Sequence, residues 1–142
     1  MADRLPMTEG AVTLTEPGNV STHVFVQDVE LVVDVGSYEQ FDLQGFLYAL
    51  VGGGSVTITI LTSMVRKDDL AFWKPLGSLS LSLGTGGAPS SDAVTLPLPV
   101  LSTTTSADLP TPLLRYVRWK VELTTATSAT IEILGLVRRK SL

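Results

Sequence analysis

A regular alternation of hydrophobic and polar residues is clearest over residues 112–140. In the first half of this segment, one set of alternate positions is mostly apolar and the other set is polar. The first set is Arg115, Val117, Trp119, Val121 and Leu123, and the second is Tyr116, Arg118, Lys120, Glu122 and Thr124. Successive side chains of a β-strand point to opposite faces of its sheet, so the pattern predicts a strand with one buried and one solvated face. A Thr/Ser/Ala turn and a second alternating stretch follow, and together they predict a closing β-hairpin.

Shorter stretches of the same kind recur about every ten residues along the chain. They are predicted at residues 20–26, 29–35, 38–51, 55–65, 78–83 and 93–101. In the last stretch, Pro97 and Pro99 cannot donate backbone hydrogen bonds, so we expect an edge strand or an irregular connection there. Residues 72–76 are compatible with a single helical turn. About eight strands without a long helix predict an all-β fold, an antiparallel, jelly-roll-like β-sandwich.

The first 19 residues are interrupted by proline and glycine and are predicted to form an N-terminal arm, with residues 20–142 as a single β-sandwich domain. The arm carries four apolar side chains that are poorly placed in water. They are Leu5, Met7, Val12 and Leu14. Such an arm can add a strand to the edge of a neighbouring subunit, so we expect these residues at an interface. A frayed terminus, or a segment packed on its own domain, is the alternative.

The composition predicts self-association. Hydrophobic residues make up 44% of the chain and charged residues 17%, and the mean hydropathy is +0.33. Large exposed apolar patches rarely persist on monomers, so we expect partner subunits to cover part of this surface in a homo-oligomer. A large dry core is the alternative. The absence of cysteine excludes disulfides and thiolate chemistry, and the sequence contains neither an apolar run typical of a membrane span nor a secretory signal near Met1.

The net charge of −4 argues against binding to nucleic acid, whose phosphates require a basic surface. One short stretch is basic although the chain as a whole is acidic, and it consists of Arg138, Arg139 and Lys140. We interpret it as a candidate contact with an acidic protein surface, with a solubilising terminus as the alternative.

Candidate catalytic residues and metal ligands are few. The only histidine, His23, lies within a predicted strand, and no G-x-S-x-G sequence is present, so we expect a structural histidine. The aspartates at positions 34, 42, 68 and 69 do not follow the spacing of a calcium-binding loop. We therefore predict no catalytic residue, no metal site and no cofactor, and we expect that the protein is not an enzyme.

Aromatic residues suggest an alternative role, since they can stack on sugar rings. The candidates for such a platform are Trp73, Trp119, Tyr38, Tyr48 and Tyr116. Alternation places Trp119 on the apolar face of its strand, in the core. Trp73 follows a charged loop and is the candidate for an exposed partner contact. Replacing Trp119 with alanine is thus predicted to cost about 3–5 kcal/mol of stability, and replacing Trp73 much less.

Three parts of the chain carry a family resemblance: residues 29–43, residues 55–83 with Trp73, and residues 115–133. They resemble the opening strands, the outer strands joined by a Trp-bearing loop, and the closing hairpin of small phage virion proteins of the decoration, cement or minor head and tail kind. The resemblance covers most of the chain after the arm. It implies a non-enzymatic protein that forms a homo-oligomer, often a trimer, on a shell of major capsid or other virion protein.

The expected function is therefore that of a virion structural protein, assembled in the host cytoplasm, which decorates and stabilises a capsid. The alternative is a carbohydrate-binding or adhesion module on a β-sandwich scaffold. Binding to a glycan array would favour the alternative, and co-purification with a lattice protein would favour the virion role.

Overall fold

The structure, a computed structural model, describes residues 2–16, 22–82, 90–95 and 113–139. Within these ranges the chain forms ten strands and two 3₁₀ turns, Val29–Leu31 and Leu70–Phe72, and no helix long and apolar enough to cross a membrane. The strands form two antiparallel sheets, which confirms the predicted all-β sandwich. They are β1 Ala2–Pro6, β2 Val12–Thr15, β3 Thr22–Val26, β4 Val33–Asp34, β5 Tyr38–Val51, β6 Ser55–Ser63, β7 Lys74–Leu81, β8 Ser90–Thr95, β9 Tyr116–Thr124 and β10 Ser128–Arg139.

The two sheets have the same layout, with split strands at one edge. In sheet A the order is β1-β10-β5-β8, and β2 also pairs with β10. In sheet B the order is β3-β9-β6-β7, and β4 also pairs with β9. The consecutive strands β9 and β10 therefore lie in opposite sheets, and the predicted closing hairpin is wrong. Alternation defines the buried face of each strand but not its hydrogen-bonded neighbour, and residues 125–127 carry the chain from one sheet to the other.

The core lies between the inner faces of the two sheets, where most of the predicted apolar positions are buried. Its fully buried members on the four central strands are Phe41, Leu43 and Leu47 on β5, Val56, Ile58 and Ile60 on β6, Val117, Val121 and Leu123 on β9, and Ile131, Ile133 and Val137 on β10. In the predicted inward set of β9, however, Arg115 is exposed and Trp119 is only half-buried. The alternation on β5 shifts at a bulge, since Ile131 is opposite Leu47 and Thr130 is opposite Ala49, which leaves Tyr48 as the extra residue.

The N-terminal segment belongs to the sandwich, which corrects the expectation of an arm that reaches a neighbour. Strands β1 and β2 both pair with β10 of the same chain and form the edge of sheet A. Met7 is only 4% exposed, and Leu5, Val12 and Leu14 are partly buried against the core. The pairing satisfies backbone groups along β10, and the four apolar side chains cover one side of this chain's own core.

Two loops with 3₁₀ turns lie at one end of the sandwich, and the first of them departs from a predicted strand. Residues 29–35, predicted as one strand, form the first 3₁₀ turn followed by the two-residue strand β4. The second turn lies in the loop between β6 and β7. The helical turn predicted at residues 72–76 is found earlier, at Leu70–Phe72, and β7 begins at Lys74. Each turn starts after an aspartate whose carboxylate accepts a hydrogen bond from a backbone N–H two residues later, at 2.9 Å in both Asp28 and Asp69. This is the local chemistry by which aspartate favours a turn over a strand.

Candidate functional site

We refer to residues 27–31 and 64–73 together as the loop end of the sandwich. A single buried arginine from β9 attaches both loops. Nε of Arg118 donates to the carbonyl oxygen of Gln27 at 2.5 Å, Nη1 donates to the carbonyl oxygen of Asp68 at 3.0 Å, and Nη2 to Oδ1 of Asp68 at 2.7 Å. The side chain of Arg118 is only 4% exposed. Alternation had predicted a solvated position for it, so its burial by the two loops is a finding of the structure.

Trp73 covers Arg118 on the outer side of sheet B. The guanidinium carbon lies 5.6 Å from the ring centroid, a cation–π arrangement, and Nε1 of Trp73 donates to the carbonyl oxygen of Lys67 at 2.6 Å. Trp73 is 5% exposed, whereas Trp119 is half-buried. The predicted contrast between the two tryptophans is therefore wrong, and Trp73 is not free for a partner contact in this structure.

Gln27 explains the position of Trp119. Strand β3 pairs with β9 as far as Val26. Beyond it, the side chain of Gln27 bonds to the backbone of β9, since its Oε1 accepts a hydrogen bond from the backbone N–H of Trp119 at 3.2 Å. Its Nε2 donates to the carbonyl oxygen of Leu31 at 3.0 Å. The indole of Trp119 donates to the carbonyl oxygen of Met7 at 3.1 Å and lines an open groove of about 650 Å³ between the edges of the two sheets. The groove is lined mostly by apolar atoms.

The loop end presents large apolar side chains to solvent. They are Leu31, Met64, Val65, Leu70 and Phe72, whose exposed fractions range from 38% to 66%. Arg66 joins the two loops at their surface, since its Nη2 donates to the carbonyl oxygen of Glu30 at 2.8 Å and its Nε to that of Val29 at 3.2 Å. The apolar side chains are thus displayed on loops held by two arginines, one buried and one exposed.

The outer faces of the two sheets differ in chemistry. On sheet B most outward positions are polar: Thr57, Thr59, Ser78, Ser80, Lys120 and Glu122. Apolar exceptions include Leu61, which is buried opposite Arg118, and Val24, which is exposed on β3. On sheet A the outward positions of β1, β5 and β10 include Pro6, Phe46, Tyr48, Leu134 and Leu136. An antiparallel sheet with one solvated face usually carries polar residues there, and sheet B follows that rule more closely than sheet A.

Two aromatic rings and a carboxylate lie side by side on the outer face of sheet A. The rings of Phe46 and Tyr48 are nearly parallel, with an interplanar angle of 11° and centroids 6.3 Å apart. The hydroxyl of Tyr48 donates to Oε1 of Glu132 on β10 at 3.4 Å. Partial desolvation, followed by the charge and hydrogen bond of Glu132, raises the pKa of Tyr48 above its usual value. Tyr48 therefore stays a hydrogen-bond donor near neutral pH.

The remaining predicted site residues do not form a common site. Arg138 is exposed on β10; the side chain of Arg139 and all of Lys140 lie outside the described part of the chain. Asp34 forms an ion pair with Arg115 at 3.3 Å and accepts a hydrogen bond from the backbone N–H of Gly36; that hydrogen bond and the arginine lower the pKa of Asp34. Over the described ranges, no three or more of the histidine, aspartate and glutamate side chains are grouped so that they could hold a metal ion.

Comparisons with known proteins add information on the fold only. No protein-family model matches the chain, and no curated protein matches its sequence. Among solved structures, the Eiger TNF protein of S. frugiperda is similar at 12% identity with a TM-score of 0.50, over 100% of this chain and 94% of that one. A CBM4 protein is similar at 17% identity with a TM-score of 0.47, over 92% of this chain and 70% of that one. A protein of the infectious bursal disease virus Gx strain is similar at 8% identity and 0.48, and this chain spans 32% of its length. Similarities at these identities do not identify a function.

Proposed function

We propose that the protein is a non-enzymatic structural protein of a virion, which decorates and stabilises a protein shell and docks on it through the loop end. The observation that carries the proposal is the exposure of five large apolar side chains on these two loops. Large apolar side chains exposed in this number on two adjoining loops are typical of an interaction site.

The attachment of the loops supports docking. Arg118 and Trp73 hold the loop between β6 and β7 against sheet B, and Arg66 joins it to the loop before β4. A surface that is already ordered loses less conformational entropy when a partner binds, so more of the interaction energy appears as affinity. The virion as the setting comes from the resemblance of the sequence to small phage virion proteins.

Replacing Leu70 and Phe72 together with serine is expected to lower occupancy on virus particles by roughly tenfold or more, because two of the five apolar contacts of the proposed docking surface are lost. Both residues are surface residues, 44% and 46% exposed, so folding should be preserved. The matched control is Val24→Ser, which removes an apolar side chain of 43% exposure from the outer face of sheet B. Particles purified by density gradient from the host that carries the gene would be compared by quantitative mass spectrometry.

The control variant should occupy particles at the wild-type level. If the wild-type protein is missing from purified particles, the virion proposal is wrong. If all three proteins bind equally, the loop end is not the docking surface.

Carbohydrate binding is the second candidate function, and one observation favours it. The parallel rings of Phe46 and Tyr48, beside the carboxylate of Glu132, combine a stacking surface with a hydrogen-bonding group, as a sugar site requires. Calorimetric titration with cellohexaose tests it. Binding that is lost in Tyr48→Ala would support this candidate.

A further inference from the structure

We propose that the outer face of sheet A is the surface through which copies of this chain associate with one another. The inference goes beyond the proposed function, since it concerns a different surface and would hold whether or not the loop end docks on a shell. Each copy would place Phe46, Leu134 and Leu136 against the next copy.

The apolar residues of this face form one continuous surface across three strands. The registers place Arg4, Leu136 and Asp42 in one row across β1, β10 and β5, and Pro6, Leu134 and Gln44 in the next. Glu132 and Phe46 face each other in the third row. Pro6 lies directly opposite Leu134, and Phe46 is the diagonal neighbour of Leu134 across β10 and β5, within reach of an aromatic side chain. Leu134 therefore connects the aromatic pair with the edge strand β1.

A comparison with sheet B shows that the sandwich fold does not by itself require the apolar residues on the outer face of sheet A. Both sheets have an outer face built from alternating antiparallel strands, and the loop that carries Trp73 covers only the Arg118 end of sheet B. On sheet B, the rows across β9, β6 and β7 are Glu122, Thr57 and Ser80, then Lys120, Thr59 and Ser78. These rows of sheet B carry no apolar residue, so this fold does not require the leucines and aromatic rings of sheet A, and their presence favours a partner that covers them.

The charges on the face favour a second copy as that cover. The charged side chains described on it are two arginines and two acids: Arg4, Arg138, Asp42 and Glu132. A surface that carries both signs can meet a rotated copy of itself with opposite charges paired, and symmetric closed assemblies use such self-complementary surfaces. A nucleic acid or an anionic membrane would instead require an excess of positive charge.

A sugar explains less of the face than a second copy does. The ring pair and Glu132 suit a sugar, but Leu134 and Leu136 offer no hydrogen-bonding group to its hydroxyls. They extend the apolar surface toward β1, away from the aromatic pair. A protein partner can use the whole surface, its apolar and its charged residues together.

Sedimentation equilibrium of the purified full chain is the first test. We expect a closed oligomer at micromolar concentration, and we expect Leu136→Glu and Phe46→Glu each to raise its dissociation constant roughly tenfold to a hundredfold. The matched control is Thr59→Glu, which adds the same charge at a half-buried outward position of sheet B, opposite Lys120, and should leave association unchanged. A wild-type protein that stays monomeric overturns the inference, as does equal association of all variants.

A second measurement tests the same interface without placing a glutamate among the apolar residues of the face. The chain has no cysteine, so Gln44→Cys and Ser80→Cys each introduce a single thiol, on the outer faces of sheet A and sheet B respectively. The thiol at position 44 should react with a maleimide at least about tenfold more slowly when the protein is concentrated than after dilution below the dissociation constant, whereas the rate at position 80 should not change. A rate at position 44 that does not depend on concentration overturns the inference, as does a monomer that binds cellohexaose through Tyr48. Self-association of a protein that is absent from virus particles would instead remove the proposed function and leave this inference standing.

Discussion

Replacing Trp73 with alanine is expected to lower the free energy of unfolding by about 3–5 kcal/mol, the range for emptying a buried large aromatic position. Trp73 is 5% exposed, stacks over Arg118 and donates to the carbonyl oxygen of Lys67. Its removal opens a cavity and lets water reach the guanidinium that holds both loops. Urea denaturation at one fixed protein concentration measures the loss, since stability of an oligomer depends on concentration.

Trp119→Ala is the matched comparison, because the residue type is the same and Trp119 is only half-buried beside the open groove. We expect a smaller loss there. Equal losses, or a larger loss for Trp119, would show that the tryptophan of β9 contributes more to the core than its exposure indicates.

Gly54→Ala is expected to destabilise the protein by about 2–5 kcal/mol, whereas Gly53→Ala should cost about 1–2 kcal/mol. Both glycines lie in the turn that carries the chain from β5 to β6 and have positive φ, at 80° and 74° respectively. A methyl group at Gly53 would meet no atom within 4 Å, but at Gly54 it would collide with the backbone carbonyl oxygen of Thr124. The backbone strain is shared, so the difference between the variants measures the collision alone.

Thermal and urea unfolding of the two variants, again at one protein concentration, test this pair. Similar losses would mean that the turn moves away from β9 at little cost. A loss for Gly53→Ala alone would contradict the placement of the turn.

The buried faces of the strands could be predicted from the sequence, but their neighbours could not. Phe41, Val56 and Val117 are fully buried on strands whose alternation predicted it. Alternation records only which side chains avoid water. The partner of each strand depends on how the turns at residues 52–54 and 125–127 cross between the sheets, and no residue pattern there distinguishes a crossing from a hairpin.

The candidate surfaces were harder to predict because they depend on tertiary contacts. Trp73 lies between a 3₁₀ turn and β7, so no alternation applies to it, and Arg118 beneath it determines its burial. Phe46 and Leu136 did carry a signal. Each is an apolar residue at an outward position of a strand, which becomes informative once the strand's buried set is known.

The central place of β10 in sheet A has a consequence for biosynthesis. Strand β1 pairs with β10, with Ala2 opposite Arg138. Strand β1 is synthesised first of the ten described strands and β10 last, so β1 stays without its partner until β10 has left the ribosome. Strand β3 waits in the same way for β9. Translation takes seconds for a chain of this length, during which unpaired edges can join those of other nascent chains. Long-range pairing of this kind also slows folding itself, so yield during expression should depend on chaperones and temperature more than the stability of the finished sandwich would suggest.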